Sequence, residues 1–344
     1  MALKGQAVGR LIRMSDSEAS PTPTVAGMGA DQLSEMYRLM YSIRIFEDRC
    51  ERMHMDGKLS GPFHSSAGQE AVAVAVCAAL RADDVVTSTH RGHGHLLAKG
   101  ARMDRMLAEL MGRSSGYSGG RGGSMHLADM AVGVIGENGI VGGSIFLATG
   151  AALGFQIRSE SHVAVAFFGD GAVGQGVLYE CLNMAAIWSL PVVFVCENNM
   201  YAHSFPSREL FQGGDAADRA PGFGVPAIRV DGTDALQVYG AAVGAVARAR
   251  DGHGPSLIQA DCYRWRGHNL GDAQQLYRTR DEVDEGRRRD PVAIMRSFAS
   301  ELVSEGRLQA AEESVVLDFE NALRFASESD VPGPESIYAG EPAV

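Results

Sequence analysis

The stretch of residues 163–199 most constrains the fold, because its pattern is that of one βαβ unit. Residues 163–168 (VAVAFF) carry no charge and are rich in β-branched and aromatic side chains, which is typical of a buried strand. The turn GDG follows at 169–171, and apolar residues at helical spacing predict a helix over 173–188. A second apolar run, 192–196, predicts a strand parallel to the first. The sequence therefore predicts an α/β fold built on a parallel sheet.

Two polar residues follow these strands at one edge of the predicted sheet. Asp170 comes after the first strand and Asn199 after the second, so both should emerge at the carboxyl edge, where open α/β sheets bind ligands. A carboxylate and an amide oxygen are ligands that suit octahedral Mg²⁺. Gly169 and Gly171 would let the backbone approach a diphosphate, whose charge the N–H groups of the next helix would favour. The alternative is a structural turn followed by a polar strand end.

Composition and charge argue against several classes of function and site. A hydrophobic content of 45% over 344 residues is enough for a large core without disulfides. The net charge of −11 argues against a general nucleic-acid-binding surface, which needs clustered Lys and Arg. The five cysteines show no CxxC spacing, and several lie in apolar runs, which indicates core thiols in a reducing compartment.

The uncharged run 139–157 is long enough to meet the criterion for a membrane span. It contains many glycines and joins segments with soluble α/β patterns, so close packing within or between protomers is the preferred interpretation. No secretory signal is expected, because the amino terminus lacks a continuous apolar stretch. We therefore expect a cytoplasmic protein that does not bind membranes.

The rest of the chain predicts a single domain over 31–330, with helices at both ends. Residues 1–30 are predicted to form a mobile tail, with a mitochondrial transit peptide as the alternative, and 331–344 a C-terminal tail. Asp31 is a candidate N-cap for a helix that runs to about Met55. Further elements are predicted as follows: a buried alanine-rich helix over 71–80, strands over 85–89, 227–230 and 257–262, and charged helices over 281–330.

A histidine-rich segment, HRGHGH at 90–95, follows the strand predicted at 85–89. Three histidines this close suit zinc, but no Cys or carboxylate completes a known ligand spacing. The preferred interpretation is a diphosphate clamp, since Arg91 at a strand end suits an anion and the imidazoles beside it suit proton transfer. A solvated polar loop is the alternative.

The glycine-rich segment 112–126 (GRSSGYSGGRGGSMH) is not expected to hold regular structure by itself. A linker and a fixed loop over the site or an interface are the two interpretations. For His126, at the end of the segment, a position facing an active-site channel and a structural hydrogen bond are equally compatible with the sequence.

Several of these motifs occur together, and in this order, in one known family. GDG at 169–171 followed by NN at 198–199 resembles the thiamine-diphosphate motif. Over about residues 31–330 the chain resembles the α subunits of the first component of thiamine-diphosphate-dependent 2-oxo acid and acetoin dehydrogenases. STHRGHGH is most similar to the acetoin dehydrogenase branch. The other matching segments are FHSSAGQEA (63–71), GRGGSMH (120–126), GENGIVGGSIFLATGAALG (136–154) and YRWRGHNLGD (263–272).

The resemblance implies a thiamine-diphosphate-binding fold, with a parallel sheet flanked by helices on both faces, that binds thiamine diphosphate and Mg²⁺. It implies metal ligands at Asp170, Asn199 and the Tyr201 carbonyl, and the proton-transfer role falls to His93 or His268. The cofactor contacts it implies are His90, Arg91, Gly139, Val141, Gly169, Asp170, Gly171, Ala172, Asn199, Tyr201 and His268.

The same resemblance implies cleavage of a carbon–carbon bond in acetoin or a 2-oxo acid and transfer of the acyl or hydroxyalkyl unit to a lipoyl-bearing acyltransferase. A β subunit would complete the site with a glutamate that activates the aminopyrimidine, in an assembly of two α and two β chains. The alternatives are a pyruvate or branched-chain 2-oxo acid dehydrogenase α subunit, a specialised acyloin-forming or acyl-transferring enzyme, and a noncatalytic protein that keeps the fold for assembly.

Three residues near the expected site depart from the family pattern. Phe146 stands where proline is usual, Gly174 where asparagine is common, and Ala202 where ENNxYG has glycine. An altered choice of substrate is therefore a hypothesis. Asn269 stands where mitochondrial relatives have a regulated serine, so phosphorylation at that position is not expected.

Overall fold

Six parallel strands form the main sheet, in the order β2-β1-β3-β4-β8-β7, in a computed structural model that describes residues 28–59 and 61–337. Tails were predicted at 1–30 and 331–344, and residues 1–27 and 338–344 lie outside the described residues. Within the described parts, Ala30 begins the first helix and Pro334–Ile337 form a short 3₁₀ helix. A short antiparallel hairpin, β5 with β6, follows the fourth strand. The strands are β1 (Val85–Thr87), β2 (Val134–Gly136), β3 (Ala164–Gly169), β4 (Val192–Asn198), β5 (Tyr201–Ala202), β6 (Phe205–Pro206), β7 (Ala227–Asp231) and β8 (Ser256–Asp261).

Helices cover both faces of this sheet, as the sequence predicted. The core on one face of the sheet includes residues of the first, second, ninth and last helices, and the core on the other face includes residues of the fifth and sixth. The helices are α1 (Ala30–Met55), α2 (Glu70–Ala78), α3 (His93–Lys99), α4 (Met103–Leu110), α5 (Gly143–Ile157), α6 (Gly176–Trp188), α7 (Ser207–Leu210), α8 (Ala216–Arg219), α9 (Ala235–Arg250), α10 (Arg280–Arg288), α11 (Pro291–Ser300) and α12 (Glu305–Glu328).

Strand β3 shows why the central strands are apolar throughout rather than alternating. Val165 and Phe167 point into the core beneath α1, α2 and α9, whereas Ala166 and Phe168 point into the core beneath α5 and α6. Because successive side chains of a strand alternate between faces, a strand buried on both faces needs an apolar residue at every position. The predicted α/β fold is therefore confirmed.

The βαβ unit that organises the sequence is present as β3, α6 and β4. The two strands pair in parallel, with Gly169 opposite Glu197, so the residues that follow them share one edge. The boundary of the helix was predicted wrongly at 173. A 3₁₀ helix over Asp170–Gly174 follows β3 directly, and α6 begins only at Gly176.

Other boundaries also differ from the prediction. Gly29 stands at the N-cap of α1, and Asp31 lies in the first turn of the helix, where it pairs with Arg307 at 2.8 Å. The predicted N-cap at Asp31 is therefore wrong, although a carboxylate in the first turn still suits the helix dipole. The edge strand β2 was not predicted, because three residues carry too little pattern.

The uncharged run 139–157 forms the turn before α5 and α5 itself. Among the described residues, we find no helix that is both long and apolar enough to span a bilayer. The charged C-terminal region, which was predicted to be helical over 281–330, forms α10, α11 and α12. All five cysteines are buried and free, as expected for core thiols.

Candidate active site

Four segments meet at the carboxyl edge of the sheet because the strands that precede them are parallel. They follow β1, β3, β4 and β8, and each begins where its strand leaves the ladder. They carry the histidine-rich segment, the GDG turn, the NN pair and the loop after β8. A fifth contribution comes from residues 63–69, which precede α2. This edge is the position at which open α/β sheets bind ligands.

Asp170 places a carboxylate in a buried environment at this edge. The residue is 5% exposed, and its Oδ2 atom has no hydrogen-bond partner. Burial raises the pKa of Asp170 to about 6. A buried, unpaired carboxylate oxygen is costly in a folded protein, and a bound cation would offset that cost.

Asn199 and Tyr201 lie next to each other and are held in defined orientations. The Asn199 side chain donates through Nδ2 to Gln69 Oε1 at 2.9 Å and accepts through Oδ1 from the Tyr201 amide at 3.4 Å. The Tyr201 carbonyl accepts from Arg264 Nη1 at 3.2 Å, and the Tyr201 hydroxyl donates to Glu282 at 2.6 Å. The orientation of the expected ligand pair therefore depends on side chains from the residue before α2, the loop after β8 and α10.

Two of the three family departures pack against the GDG turn and the 3₁₀ helix after it. A Cβ atom at Gly171 would lie 3.2 Å from the Ala202 methyl group, so the methyl fills the space above this glycine. A Cβ atom at Gly174 would lie 3.0 Å from the Phe211 ring, so the ring lies close to the position where a side chain at residue 174 would begin. These substitutions therefore change the shape of the turn's surroundings.

A cluster of histidines lies beside this carboxylate corner. The rings of His64, His90 and His268 contact one another at centroid distances of 4.8–5.5 Å, and His203 contacts His268 at 4.4 Å. Ring nitrogens of the first three all lie within 4.8 Å of one another. His64 Nδ1 and His90 Nε2 are buried without a partner. We call His64, His90, His203 and His268 the histidine cluster.

Arg91 connects two of the segments that carry the histidine cluster. Its guanidinium donates to the Ser65 carbonyl and to the His268 carbonyl, both at 2.7 Å. Burial, together with nearby Arg264, lowers the pKa of Arg91 to about 9. The site thus presents the buried Arg91 guanidinium and several imidazoles toward the same space.

Burial also keeps three of these imidazoles neutral, with Arg91 adding to the effect. It lowers the pKa of His64 to about 4, of His268 to about 3 and of His90 to about 2. A site with a buried guanidinium and unpartnered imidazole nitrogens is suited to a polyanion, because the anion would accept hydrogen bonds and compensate the positive charge.

The other expected site residues are distributed unevenly around this centre. Gly169 and Ala172 flank Asp170 in the GDG turn, as the motif requires. Gly139 and Val141 lie in the exposed turn between β2 and α5. His93 is fully buried, with Nδ1 3.1 Å from Glu47 Oε1 and Nε2 3.0 Å from Ser124 Oγ. His126 is exposed and contacts the Gly122 carbonyl at 3.0 Å.

Several residues of this centre were not singled out in the sequence. His64 and Gln69 both lie in FHSSAGQEA, a segment that was noted only as a family match. His203 and Arg264 lie in loops with no regular pattern, so spacing gave no signal for them. What joins all four to the site is tertiary contact between segments that lie far apart in the chain.

Comparison with known proteins identifies the family of the chain. The family described as Dehydrogenase E1 component matches residues 37–335. The acetoin:2,6-dichlorophenolindophenol oxidoreductase α subunit of Bacillus subtilis is 46% identical over 86% of this chain and 89% of its own length. The Cupriavidus necator protein of the same name is 40% identical over 93% and 97%.

A second group of relatives carries a different name. The pyruvate dehydrogenase E1 component α subunit of Zymomonas mobilis is 40% identical over 92% of this chain and 90% of its own length. The match to the family extends from α1 to the residues after α12, and it therefore includes every segment of the carboxyl edge. The chain belongs to the dehydrogenase E1 component family of thiamine-diphosphate-dependent oxidoreductases.

Proposed function

We propose that this chain is the α subunit of a thiamine-diphosphate- and Mg²⁺-dependent dehydrogenase component that cleaves acetoin. The acyl unit would pass to a lipoyl-bearing acyltransferase. The observation that carries the proposal is the pairing, at one sheet edge, of the unpartnered Asp170 oxygen with the histidine cluster and Arg91. One corner suits a cation and the other suits an anion, as a metal–diphosphate pair requires.

The residues present fit the metal. Asp170 Oδ2 is buried and without a partner, and the Asn199 side-chain oxygen and the Tyr201 carbonyl belong to a segment that packs on the same turn. We propose that these three oxygens hold Mg²⁺. The ion would compensate the buried charge of Asp170 and anchor the diphosphate, with no part in bond cleavage.

The residues also fit the diphosphate. Arg91 would contribute the positive charge, and His64, His90 and His268 would donate hydrogen bonds from neutral rings. The backbone at Gly169, Gly171 and Ala172 would approach the phosphates, and Gly139 with Val141 would offer backbone groups to the aminopyrimidine. When bound, thiamine diphosphate supplies the electron sink for carbon–carbon cleavage.

Of the two histidines expected to transfer protons, we assign the role to His268. Its ring lies among the other imidazoles at the open edge of the sheet, on a partly exposed loop. Both ring nitrogens of His93 are instead engaged in the interior by Glu47 and Ser124. A group that moves a proton to or from the substrate must reach it, and His268 is placed for that.

A β subunit would complete the site, in an assembly of two α and two β chains in the cytoplasm. Residues Gly139 and Val141, expected to contact the cofactor, lie on an exposed turn, so this side of the half-site is open to a partner. The two acetoin-oxidising relatives carry the designation "subunit alpha", which supports a partnered enzyme.

Acetoin is the preferred substrate, and pyruvate or a branched-chain 2-oxo acid the alternative. Identity to the Bacillus subtilis acetoin protein is 46%, against 40% to the Zymomonas mobilis pyruvate dehydrogenase subunit. The test is turnover of acetoin and of pyruvate by this chain co-expressed with its β subunit, with thiamine diphosphate, Mg²⁺ and an artificial electron acceptor. We expect preference for acetoin, and preference for pyruvate would favour the alternative.

A further inference from the structure

We propose that His93 is a positioning residue that preorganises the cofactor half-site from the interior of the protein. This inference rests on the proposed function of the same edge. His93, Glu47, Glu137 and Ser124 form a buried group, which we call the His93 node. The four residues come from α1, α3, the glycine-rich segment and the turn after β2, which all surround the candidate site. All four side chains are buried in the interior.

The position of His93 excludes direct contact with a substrate in this structure. It is fully buried on α3, and its ring packs between Phe46 and Phe63 at centroid distances of 5.4 and 5.2 Å. The two ring nitrogens bridge Glu47 on α1 and Ser124 at the end of the glycine-rich segment. The ring therefore connects two parts of the chain that are distant in sequence.

Glu47 connects the node to the segment that carries His64. Its Oε1 atom accepts a hydrogen bond from Ser66 Oγ at 2.7 Å in addition to the contact with His93. The neighbouring Ser65 carbonyl accepts from Arg91. Of these three consecutive residues, His64 belongs to the histidine cluster, Ser65 contacts Arg91 and Ser66 contacts the node.

Glu137 connects the node to the turn that carries Gly139 and Val141. Its Oε2 atom accepts from the Leu127 amide at 3.1 Å, just after the glycine-rich segment. Gly92, between Arg91 and His93, packs so closely on Glu137 that a Cβ atom there would lie 2.4 Å from Oε1. The His93 node therefore also fixes the segment 90–93, which carries His90 and Arg91.

The glycine-rich segment has a defined fold, and this fold fixes the position of Ser124. The buried Glu109 carboxylate on α4 accepts four backbone hydrogen bonds, from Ser118, Gly120, Gly122 and Gly123, at 2.6–3.1 Å. A Cβ atom at Gly116 would lie 2.4 Å from Glu109 Oε2, so the chain closes tightly around the carboxylate. The segment is a fixed loop, and the linker interpretation is wrong.

The expected consequence is a split between cofactor binding and turnover. Where only a fraction of molecules has the site assembled, the apparent Kd rises by the inverse of that fraction, whereas molecules that bind still react. Loss of the His93 node should weaken thiamine diphosphate binding about tenfold, as for a site assembled about a tenth of the time. The kcat at saturating cofactor should stay within about twofold.

The test uses the complex with the β subunit and the variant His93→Gln, which cannot bridge Glu47 and Ser124 as the ring does. Calorimetry would give the Kd for thiamine diphosphate, and assays at saturating cofactor would give kcat. A lost kcat with an unchanged Kd would overturn the proposal, because it would mean that His93 acts in the chemistry. His253→Gln, at an exposed position after α9, is the matched control.

A second variant and a second measurement keep the proposal falsifiable if His93→Gln fails to fold. Ser124→Ala removes a single hydroxyl and should weaken cofactor binding in the same direction, with Ser124→Thr restoring it. Amide hydrogen exchange of the cofactor-free complex should rise together in residues 64–66, 90–93 and 124–127. Unchanged exchange and unchanged Kd in Ser124→Ala would refute the node, whether or not the substrate assignment holds.

Discussion

A single carboxylate, Asp170, decides between a metal site and a structural turn. Its oxygen Oδ2 is buried without a partner, and burial raises its pKa to about 6. An acid with a raised pKa destabilises the folded state above that pKa, because the folded protein must hold a charge that water would solvate better. The cation that would remove this cost is the one that the proposed function needs.

The first prediction concerns Asp170→Asn. Without metal at pH 8, this variant should be more stable to urea than the wild type, by up to about 2 kcal/mol, since the buried charge is gone. Mg²⁺-dependent binding of thiamine diphosphate should be lost in the same variant. Asp284→Asn, at an exposed position on α10, is the control and should change neither quantity. Normal cofactor binding by Asp170→Asn would show that the metal assignment is wrong.

The second prediction concerns pH and the histidine cluster. The pKa of His64 falls from an ordinary value near 6.5 to about 4 on folding, so the unfolded chain binds the proton first as the pH drops. The contribution of His64 to the free energy of unfolding is therefore fully present above about pH 6.5 and decreases as the pH falls toward 4. In His64→Gln, the slope of unfolding free energy against pH should be smaller by up to about 1.4 kcal/mol per pH unit in this window.

Urea unfolding of the cofactor-free protein at several pH values would measure that slope. Asp170 contributes the opposite trend below pH 6, because its raised pKa favours the folded state once it is protonated. The difference between His64→Gln and the wild type cancels that contribution. Parallel curves for the two proteins would contradict the assigned neutrality of His64, and His253→Gln should give such parallel curves.

At the scale of elements, the most informative feature is a loop built around a side chain. The glycine-rich segment contains regular structure only as a 3₁₀ helix over Gly123–Met125. Its backbone is instead ordered by hydrogen bonds to the carboxylate of Glu109. Glycines at positive φ, such as Gly120 at +77°, let the chain turn around that carboxylate. The order of the loop therefore depends on one acceptor and not on secondary structure.

The third prediction is that Glu109→Gln opens this loop. The amide has one oxygen where the carboxylate has two, so two or more of the four backbone N–H groups lose their acceptor, at about 1–3 kcal/mol in all. Limited proteolysis by trypsin should then cut at Arg113 or Arg121 much faster than in the wild type. Glu313→Gln, at an exposed position on α12, should leave cleavage unchanged. Equal cleavage of Glu109→Gln and wild type would contradict the role of the carboxylate.

The sequence predicted the elements of the fold far better than the shape of the site. The runs around β3 and β4 are long, apolar and bounded by clear turns, so the sheet and the edge that carries Asp170 and Asn199 follow from pattern alone. His64, His203 and Arg264 could not be placed in that way. Their neighbours come from other segments, and no local spacing encodes a contact between positions as distant as 64 and 268.

At the scale of the whole molecule, the exposed apolar side chains of two neighbouring helices bear on how the chain associates. Helices α5 and α6 expose an apolar face beside the open turn of Gly139 and Val141. Large exposed apolar patches mark sites of association. The exposed residues of this face are Phe146, Leu147, Ile157, Met184, Ile187 and Trp188. Phe146, which replaces the usual family proline, adds an aromatic ring to it.

The fourth prediction is that the β subunit covers this face. Trp188 is 44% exposed, and the only other tryptophan, Trp265, is buried at 8%. Tryptophan emission should therefore shift to shorter wavelength when the β subunit is added, and Trp188→Phe should abolish most of the shift. An emission spectrum that stays constant on complex formation would mean that the partner binds elsewhere. Phe325→Leu, on α12 at the opposite side of the sheet, serves as a control for the aromatic change.

The strand order has a consequence for how the chain acquires its shape during synthesis. β1 pairs with β3 across almost eighty residues, and β4 pairs with β8 across about sixty, so the central ladder has no hairpin from which to grow. The Tyr201 carbonyl can meet Arg264, and the His64 ring can meet His268, only when the segment after β8 has left the ribosome. A nascent chain that stops before residue 256 would expose apolar strands without their neighbours and should depend on chaperones.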